Sequence, residues 1–499
     1  MKNLPKDHAE PAGLNYQVQQ ISSDHLERCA SHSRRAEAAN RPFRVMKFGG
    51  TSVGDAACIR KVVEIVRAAA RDSQVVVVVS AMSGVTNKLV EAASQSELGC
   101  DQPVAEILEQ LRRQHRTAAE ELIQSSEERN HLHGKIEDLL RTYSRLCKGT
   151  KLLRELTPRT RDAILGLGER LSVLLVAAAL TERGVASAAI DATEIVVTDD
   201  SHGAAEPCME LTQKRCEARV RPLLQSGVVP VVTGFIGATA EGILTTLGRG
   251  GSDYSATILG AALASDEVII WTDVDGLQTA DPRLVPEART ITEVSYREAA
   301  ELAYFGAKVL HPKTLRPVMQ CGIPLWIRNT FAPEKLGTRI TPQGLPGEGG
   351  VKAITAIRDA ALISIKGPAL AGIQNVVGRS IRAMAAVRAD VLLISQASSQ
   401  NDLTLLIPLA QAKAAVEEMR HEFAHDLKQE RTGGFKVDPT VSLITVVGKN
   451  MSSLSAIVPF ALEAFGRAGV SVAALARGSS ECTLSFVVAR HEMEAAVFS

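Results

Sequence analysis

This 499-residue sequence predicts an α/β catalytic region with a mostly parallel sheet sandwiched by helices, followed by two small α+β modules. Three observations carry that expectation. β-Branched runs alternate with helical patterns from Arg44 to about residue 330, as repeated β-α units do. A stretch with three prolines and five glycines, Pro333 to Gly350, then breaks the pattern. Beyond it, Ser398-Ser399-Gln-Asn-Asp-Leu-Thr-Leu is echoed 81 residues later by Ser479-Ser480-Glu-Cys-Thr-Leu-Ser-Phe, a spacing that suits a repeated binding module.

Residues 1–43 are polar, without period, and carry Asp7, Glu10, Asp24 and Glu27, acids that transit peptides avoid; they read as a poorly ordered leader with a short helix near 25–39. A strand is expected over 44–48, running into Gly49-Gly50, then an amphipathic helix over 55–71. The valine-rich run 75–80 suits a strand buried on both faces. A Glu-, Gln-, Leu- and Arg-rich helical insertion fills 86–156. Further strands fall at 185–190, 228–234, 267–273 and 323–328, with helices at 161–183, 208–226, 253–264 and 295–320. These assignments divide the chain into a catalytic region over 44–335, a linker over 336–350 and paired modules over 351–499.

Composition narrows the function. Fifty-six basic residues balance 56 acidic ones, so the basic footprint of nucleic-acid binding is missing. The longest unbroken apolar run, Val173 to Leu180, is too short for a membrane span. Eight scattered cysteines contain no Cys-x-x-Cys pair, which fits free thiols in a reducing cytoplasm.

Several motifs place chemistry at strand ends. Lys47-Phe48-Gly49-Gly50-Thr51-Ser52 puts a cation and two glycines where a strand enters a helix, a cradle for an anion. An ordinary strand-to-helix turn explains the glycines about as well. Thr246-Leu-Gly-Arg249-Gly250-Gly251-Ser252-Asp253 sets a guanidinium fork in a flexible loop, with Ser252 and Asp253 expected to cap a helix from about Tyr254. Trp271-Thr272-Asp273-Val-Asp275-Gly276 lies at the carboxyl end of a strand, where open α/β sheets bind ligands. Gly168-Glu169-Arg170 reads first as a solvated helix face. Phe305-Gly-Ala-Lys308-Val-Leu-His311-Pro312 reads first as a helix ending before proline.

Together with Ser80-Ala-Met-Ser-Gly-Val-Thr86-Asn, these motifs resemble the signatures of aspartate kinase, in that family's order and spacing, over roughly residues 44 to 490. The resemblance implies the amino-acid kinase fold with tandem C-terminal ACT domains. It also implies transfer of phosphate from ATP to L-aspartate, giving 4-phospho-L-aspartate, the committed step toward lysine, threonine and methionine. In that scheme Lys47 neutralises the transferred phosphate and Asp253 positions it. Arg249 grips the substrate α-carboxylate and Glu169 its ammonium. Ser80, Thr86, Gly250, Gly251 and Ser252 line the substrate pocket. Phe48, Gly49, Gly50, Ser52, Thr272, Asp273, Arg283 and Lys308 join Lys47 around ATP. Mg²⁺ bridges phosphate oxygens, and no side chain is assigned as a metal ligand.

The resemblance further implies a homodimer or larger assembly through the ACT modules. A feedback amino acid is expected around Gln374, Ser380, Ser395, Gln396 and Asn401, with threonine favoured over lysine. The threonine-sensing class is often fused to homoserine dehydrogenase. This sequence ends at Ser499, inside the expected last helix of the second module, so a truncated fusion stays open beside a stand-alone kinase. Two departures stand out: Leu277-Gln278 where relatives place tyrosine, and Gln400 where they place glutamate. A kinase for another acidic amino acid and an amino-acid sensor with a dead kinase domain are the competing readings; Arg249 with Glu169 and the tandem C-terminal modules disfavour the first, and the complete set Lys47, Glu169, Arg249 and Asp253 disfavours the second.

Overall fold

The computed structural model describes residues 41–306, 309–344, 350–366, 375–396, 402–429, 434–449, 457–478 and 481–499. The catalytic region holds an eight-stranded sheet. Its strands are β1 (Phe43–Phe48), β2 (Gln74–Val79), β3 (Ser187–Ile190), β4 (Val229–Thr233), β7 (Glu267–Thr272), β8 (Glu293–Ser295), β9 (Leu325–Asn329) and β10 (Thr338–Thr341). The order is β3-β4-β2-β1-β7-β9-β10-β8, parallel except where β10 meets β9. A two-stranded hairpin, β5 (Ile236–Ala238) with β6 (Leu244–Thr246), lies outside it. Chain order runs outward from β1 in both directions, to β2 on one side and later to β7 on the other. That is a topological switch point, and it opens at the carboxyl ends of these strands.

Local chemistry explains the elements. Val75 to Val79 are all at most 2% exposed, as β-branched residues packed on both faces require. The helix Ala56–Asp72 starts at Asp55, whose carboxylate accepts from the Cys58 N–H, a cap worth about 1 kcal/mol. The insertion forms three helices, Val85–Leu98, Asp101–Leu122 and Ser126–Leu153, packed by residues such as Leu111, Ile136 and Tyr143. The expected helix 161–183 is two helices, Pro158–Leu165 and Leu167–Glu182, meeting at Gly166. This stretch is long and apolar enough to cross a membrane by length and composition, although polar residues interrupt its apolar run; 78% of its most apolar window is buried in this core. The 295–320 helix is likewise split, into Tyr296–Tyr304 and Pro312–Cys321.

The linker reading of 336–350 needs correction. Thr338–Thr341 is β10, paired to β9 and β8 inside the catalytic sheet. Of the described glycines that suggested a linker, Gly337 is a turn residue with φ +77°, where a side chain would strike the Ile327 carbonyl.

The regulatory region is one six-stranded antiparallel sheet of β11 (Gly350–Lys366), β12 (Leu393–Gln396), β13 (Asp402–Pro408), β14 (Phe435–Lys449), β15 (Val472–Arg477) and β16 (Thr483–Ala489). The two modules are interlaced, not serial. The second half of β11 pairs with β13, while its first half pairs with residues 443–449 of β14 and completes the second module. Phe305, at the end of the catalytic helix Tyr296–Tyr304, is buried on this sheet with Leu393, Leu406, Leu443 and Val487.

Candidate active site

The ends of β1, β2 and β7 and the loop after β6 surround a cleft of about 550 Å³. Of the expected residues, Lys47, Gly49, Gly50, Ser80, Thr86, Glu169, Arg249, Gly250, Gly251, Ser252, Asp253, Thr272 and Asp273 line it. Lys47 is 7% exposed, and its Nζ lies 2.5 Å from Asp253 Oδ1. Gly49 donates its N–H to the Trp271 carbonyl, which ties the glycine turn to the neighbouring strand.

Asp253 sits differently from the expectation. The helix begins at Gly251, with Gly250 as its cap and no side-chain cap bond. Asp253 is therefore in the first turn, free to hold Lys47, and the open N–H groups of the helix face the cleft. Two glycines make this turn feasible. Gly248 and Gly250 have φ near +78° and +70°, and side chains there would strike the Gly203 carbonyl and the His311 side chain.

Glu169 is the decisive carboxylate. Far from a solvated helix face, it is 4% exposed. Its Oε1 accepts from the Ala81 N–H at 3.2 Å, and its Oε2 is buried with no hydrogen-bond partner among the described residues. Burial raises its pKa to about 7, against smaller lowering effects from backbone N–H groups and from Lys47. Such a group calls for a cation. Arg249, which also lines the cleft, is exposed and has no ion pair among the described residues. A cation-seeking acid and a free guanidinium in one cleft match the two ends of a zwitterion.

Four expectations are not met at the cleft, or cannot be placed. Ser52 lies behind it, fully buried, its hydroxyl 2.7 Å from Thr330 Oγ1. Phe48 stacks on Trp271 in the core. Arg283 has a side chain 79% exposed and is bound to Asp281 in its own loop, since a short Asp-Pro-Arg turn lets the carboxylate reach the guanidinium. Lys308 lies outside the described residues. In the regulatory region Ser380 is buried on the helix Val376–Ala386, whereas Ser395 and Gln396 are exposed on β12; Gln374, Gln400 and Asn401 lie outside the described residues.

Two contributors escaped the sequence. Phe235 lines the cleft with φ +67°, a costly conformation for a bulky residue, held by its N–H donating to Ser255 Oγ. Its position just past the end of β4 was the available signal. Asp162, 1% exposed, accepts from His202 Nδ1, Gly203 N, and the Thr246 N–H and hydroxyl, anchoring the strand that leads into the Arg249 loop. Nothing in its sequence context marks it.

With this geometry established, the class follows from comparison with known proteins. The amino acid kinase family model matches residues 42–329, and an ACT domain model matches 444–499. Aspartokinase 1, chloroplastic, of Arabidopsis thaliana is 32% identical over 462 residues, 91% of this chain and 78% of that protein. The bifunctional aspartokinase/homoserine dehydrogenase 1, chloroplastic, of the same plant is 33% identical over 457 residues, 90% of this chain. The chain spans about half the length of such bifunctional relatives. Among solved structures, E. coli aspartokinase III in complex with aspartate and ADP superposes with a TM-score of 0.77 at 29% identity, covering 91% of this chain and 98% of that one. The chain belongs to the amino acid kinase family and, within it, to the aspartokinases.

Proposed function

We propose that the chain transfers the γ-phosphoryl group of ATP to the β-carboxylate of L-aspartate, releasing ADP and 4-phospho-L-aspartate. The observation that carries this reading is the buried Glu169 with one unpartnered oxygen, facing a cleft that also holds the free Arg249 and the Lys47–Asp253 pair. E. coli aspartokinase III, bound to aspartate and ADP in its crystal structure, supports the same pair of ligands here.

The chemistry needs little from the protein beyond placement. The substrate β-carboxylate is ionised at neutral pH, so no general base is required. One of its oxygens bonds to the γ-phosphorus while the bond to the bridging oxygen breaks, and the electron pair leaves on ADP. Glu169 receives the substrate ammonium, which draws it into its charged form, and Arg249 receives the α-carboxylate. Lys47, fixed by Asp253, lies against phosphate charge as it moves. The first-turn N–H groups of the helix Gly251–Ala262 add a positive helix end. Thr272 and Asp273 border the nucleotide side. Mg²⁺ would be held by the ATP phosphates and would supply charge neutralisation there.

Regulation follows from the second region. E. coli aspartokinase III also crystallises with lysine and aspartate in its T-state. An amino acid bound near Ser380, Ser395 and Gln396 has a route to the cleft. Thr355 Oγ1 donates to the Phe305 carbonyl, Tyr304 Oη donates to the Val391 carbonyl, and His311, farther along the same segment, abuts Gly250. Threonine is the preferred effector, with lysine the other candidate. Association of chains through the exposed Ile381 and Ile394 of the first module accounts for their apolar exposure.

The test is coupled ADP release with L-aspartate, L-glutamate or N-acetyl-L-glutamate as acceptor, then with threonine, lysine or both added. Saturable release with aspartate alone supports the reading; equal or better release with another acceptor removes it.

A further inference from the structure

A second cavity, of about 700 Å³, opens on the face of the catalytic sheet that carries the helix Ala56–Asp72. Parallel sheets are normally covered on both faces. Here the helix Ala56–Asp72 covers β1 and β2, and the strip formed by β7 and β9 beside it forms a groove. Ile269 and Trp271 make the floor, Ile65 and Phe331 the walls.

The charges around this apolar floor are unbalanced. Arg44, Arg60, Lys61 and Arg328 line the groove against one carboxylate, Glu64. Arg44 is held by Glu267 and Arg60 by Glu121, while Glu64 lies beside Arg67. That leaves two cations without a carboxylate in ion-pair range among the described residues. The Lys61 ammonium lies 4.9 Å from the Phe331 ring centre, and the Arg328 guanidinium lies 5.2 Å from that of Trp271. Arg328 is half-buried, its Nε is buried without a hydrogen-bond partner among the described residues, and burial lowers its pKa. A desolvated cation on a ring face, with an open donor, is a site for a planar anion.

We propose that this groove is a second small-molecule site, which takes an anion carried on a flat apolar body: the anion between Lys61 and Arg328, the body on Ile269 and Trp271. The site lies back to back with the active cleft. Trp271 stacks on Phe48 and accepts from Gly49, and Thr330 of the groove bonds to Ser52.

The protein reports its own occupancy, because of its two tryptophans Trp271 lines the groove and Trp326 lies on the paired strand, opposite Ile269. The full chain is titrated with 1-anilinonaphthalene-8-sulfonate and, separately, with the uncharged N-phenyl-1-naphthylamine, reading energy transfer from tryptophan. A Trp326→Phe variant isolates Trp271. Saturable binding of one sulfonate per chain is expected, weakened about tenfold by Lys61→Glu and by Arg328→Gln, with the uncharged probe unaffected. Lys61 is exposed, so its variant tests the site even if the Arg328 variant misfolds. Equal binding of both probes, insensitive to Lys61→Glu, overturns the proposal by making the groove a plain apolar face. So does the absence of saturable transfer. Probe binding that falls as sedimentation shows chains associating makes the groove an interface between copies, and also overturns it.

Discussion

Replacing Glu169 by glutamine separates the demands of the site from those of the fold. Glutamine keeps an oxygen for the Ala81 N–H and loses the charge. The folded-state pKa of Glu169 is raised from 4.5 to about 7. Below pH 4.5 the residue is protonated in both folded and unfolded chains and costs nothing. As pH rises toward 7 the unfolded chain releases its proton first, so stability is lost across that window and stays lost above it. At 1.36 kcal/mol per unit, the raised pKa makes parent stability fall by about 2–3 kcal/mol, relative to the variant, between pH 5 and pH 8. The buried amide of the variant costs the same at every pH and cancels from this comparison. Substrate binding should move the other way. Loss of the charge-assisted bond to the ammonium is worth about 1.5–3 kcal/mol, a ten- to hundredfold rise in KM for aspartate. Thermal unfolding of both proteins without substrate at pH 5 and 8, with aspartate kinetics at saturating MgATP, checks both effects. An unchanged KM, or a stability difference independent of pH, refutes the assignment.

Other perturbations follow from the same geometry. Lys47→Ala should lower turnover more than about tenfold, with the fold retained by circular dichroism, because its charge on the transferring phosphate is lost. Arg249→Ala should raise the KM for aspartate by about tenfold, the low end for a charged contact since the guanidinium is exposed, and leave the KM for ATP nearly unchanged. Gln396→Ala, on the exposed face of β12, should weaken amino-acid inhibition with little change in aspartate kinetics; inhibition competitive with aspartate and unaltered by the change places the effector in the cleft.

The sheet and most of the cleft were legible because their signals are local. Runs such as Val75 to Val79 can be satisfied only by burial on two faces, and the Lys47 and Arg249 motifs keep their glycines next to the charge they serve. What depended on distant partners was not legible. Glu169 looks like a helix-surface acid until the helix Leu167–Glu182 is packed against the loop after β2, which buries it beside Ala81. Arg283 looked like a nucleotide ligand because its charge is visible, but its nearer partner, Asp281, claims it. The Pro- and Gly-rich stretch hid β10, since turn residues on both sides of a four-residue strand dominate its composition. The interlaced modules could not be read from an 81-residue repeat, because the strand that completes the second module precedes the first copy.

The central claim is that the cleft holds aspartate by both ends and leaves its β-carboxylate as the acceptor. The most direct test is to identify the product by trapping it with hydroxylamine during turnover with MgATP and L-aspartate, then locating the hydroxamate by mass spectrometry. The account predicts aspartate β-hydroxamate, formed in proportion to ADP and reduced more than about tenfold in Lys47→Ala. An α-hydroxamate, or ADP release with no acyl phosphate to trap, would contradict it.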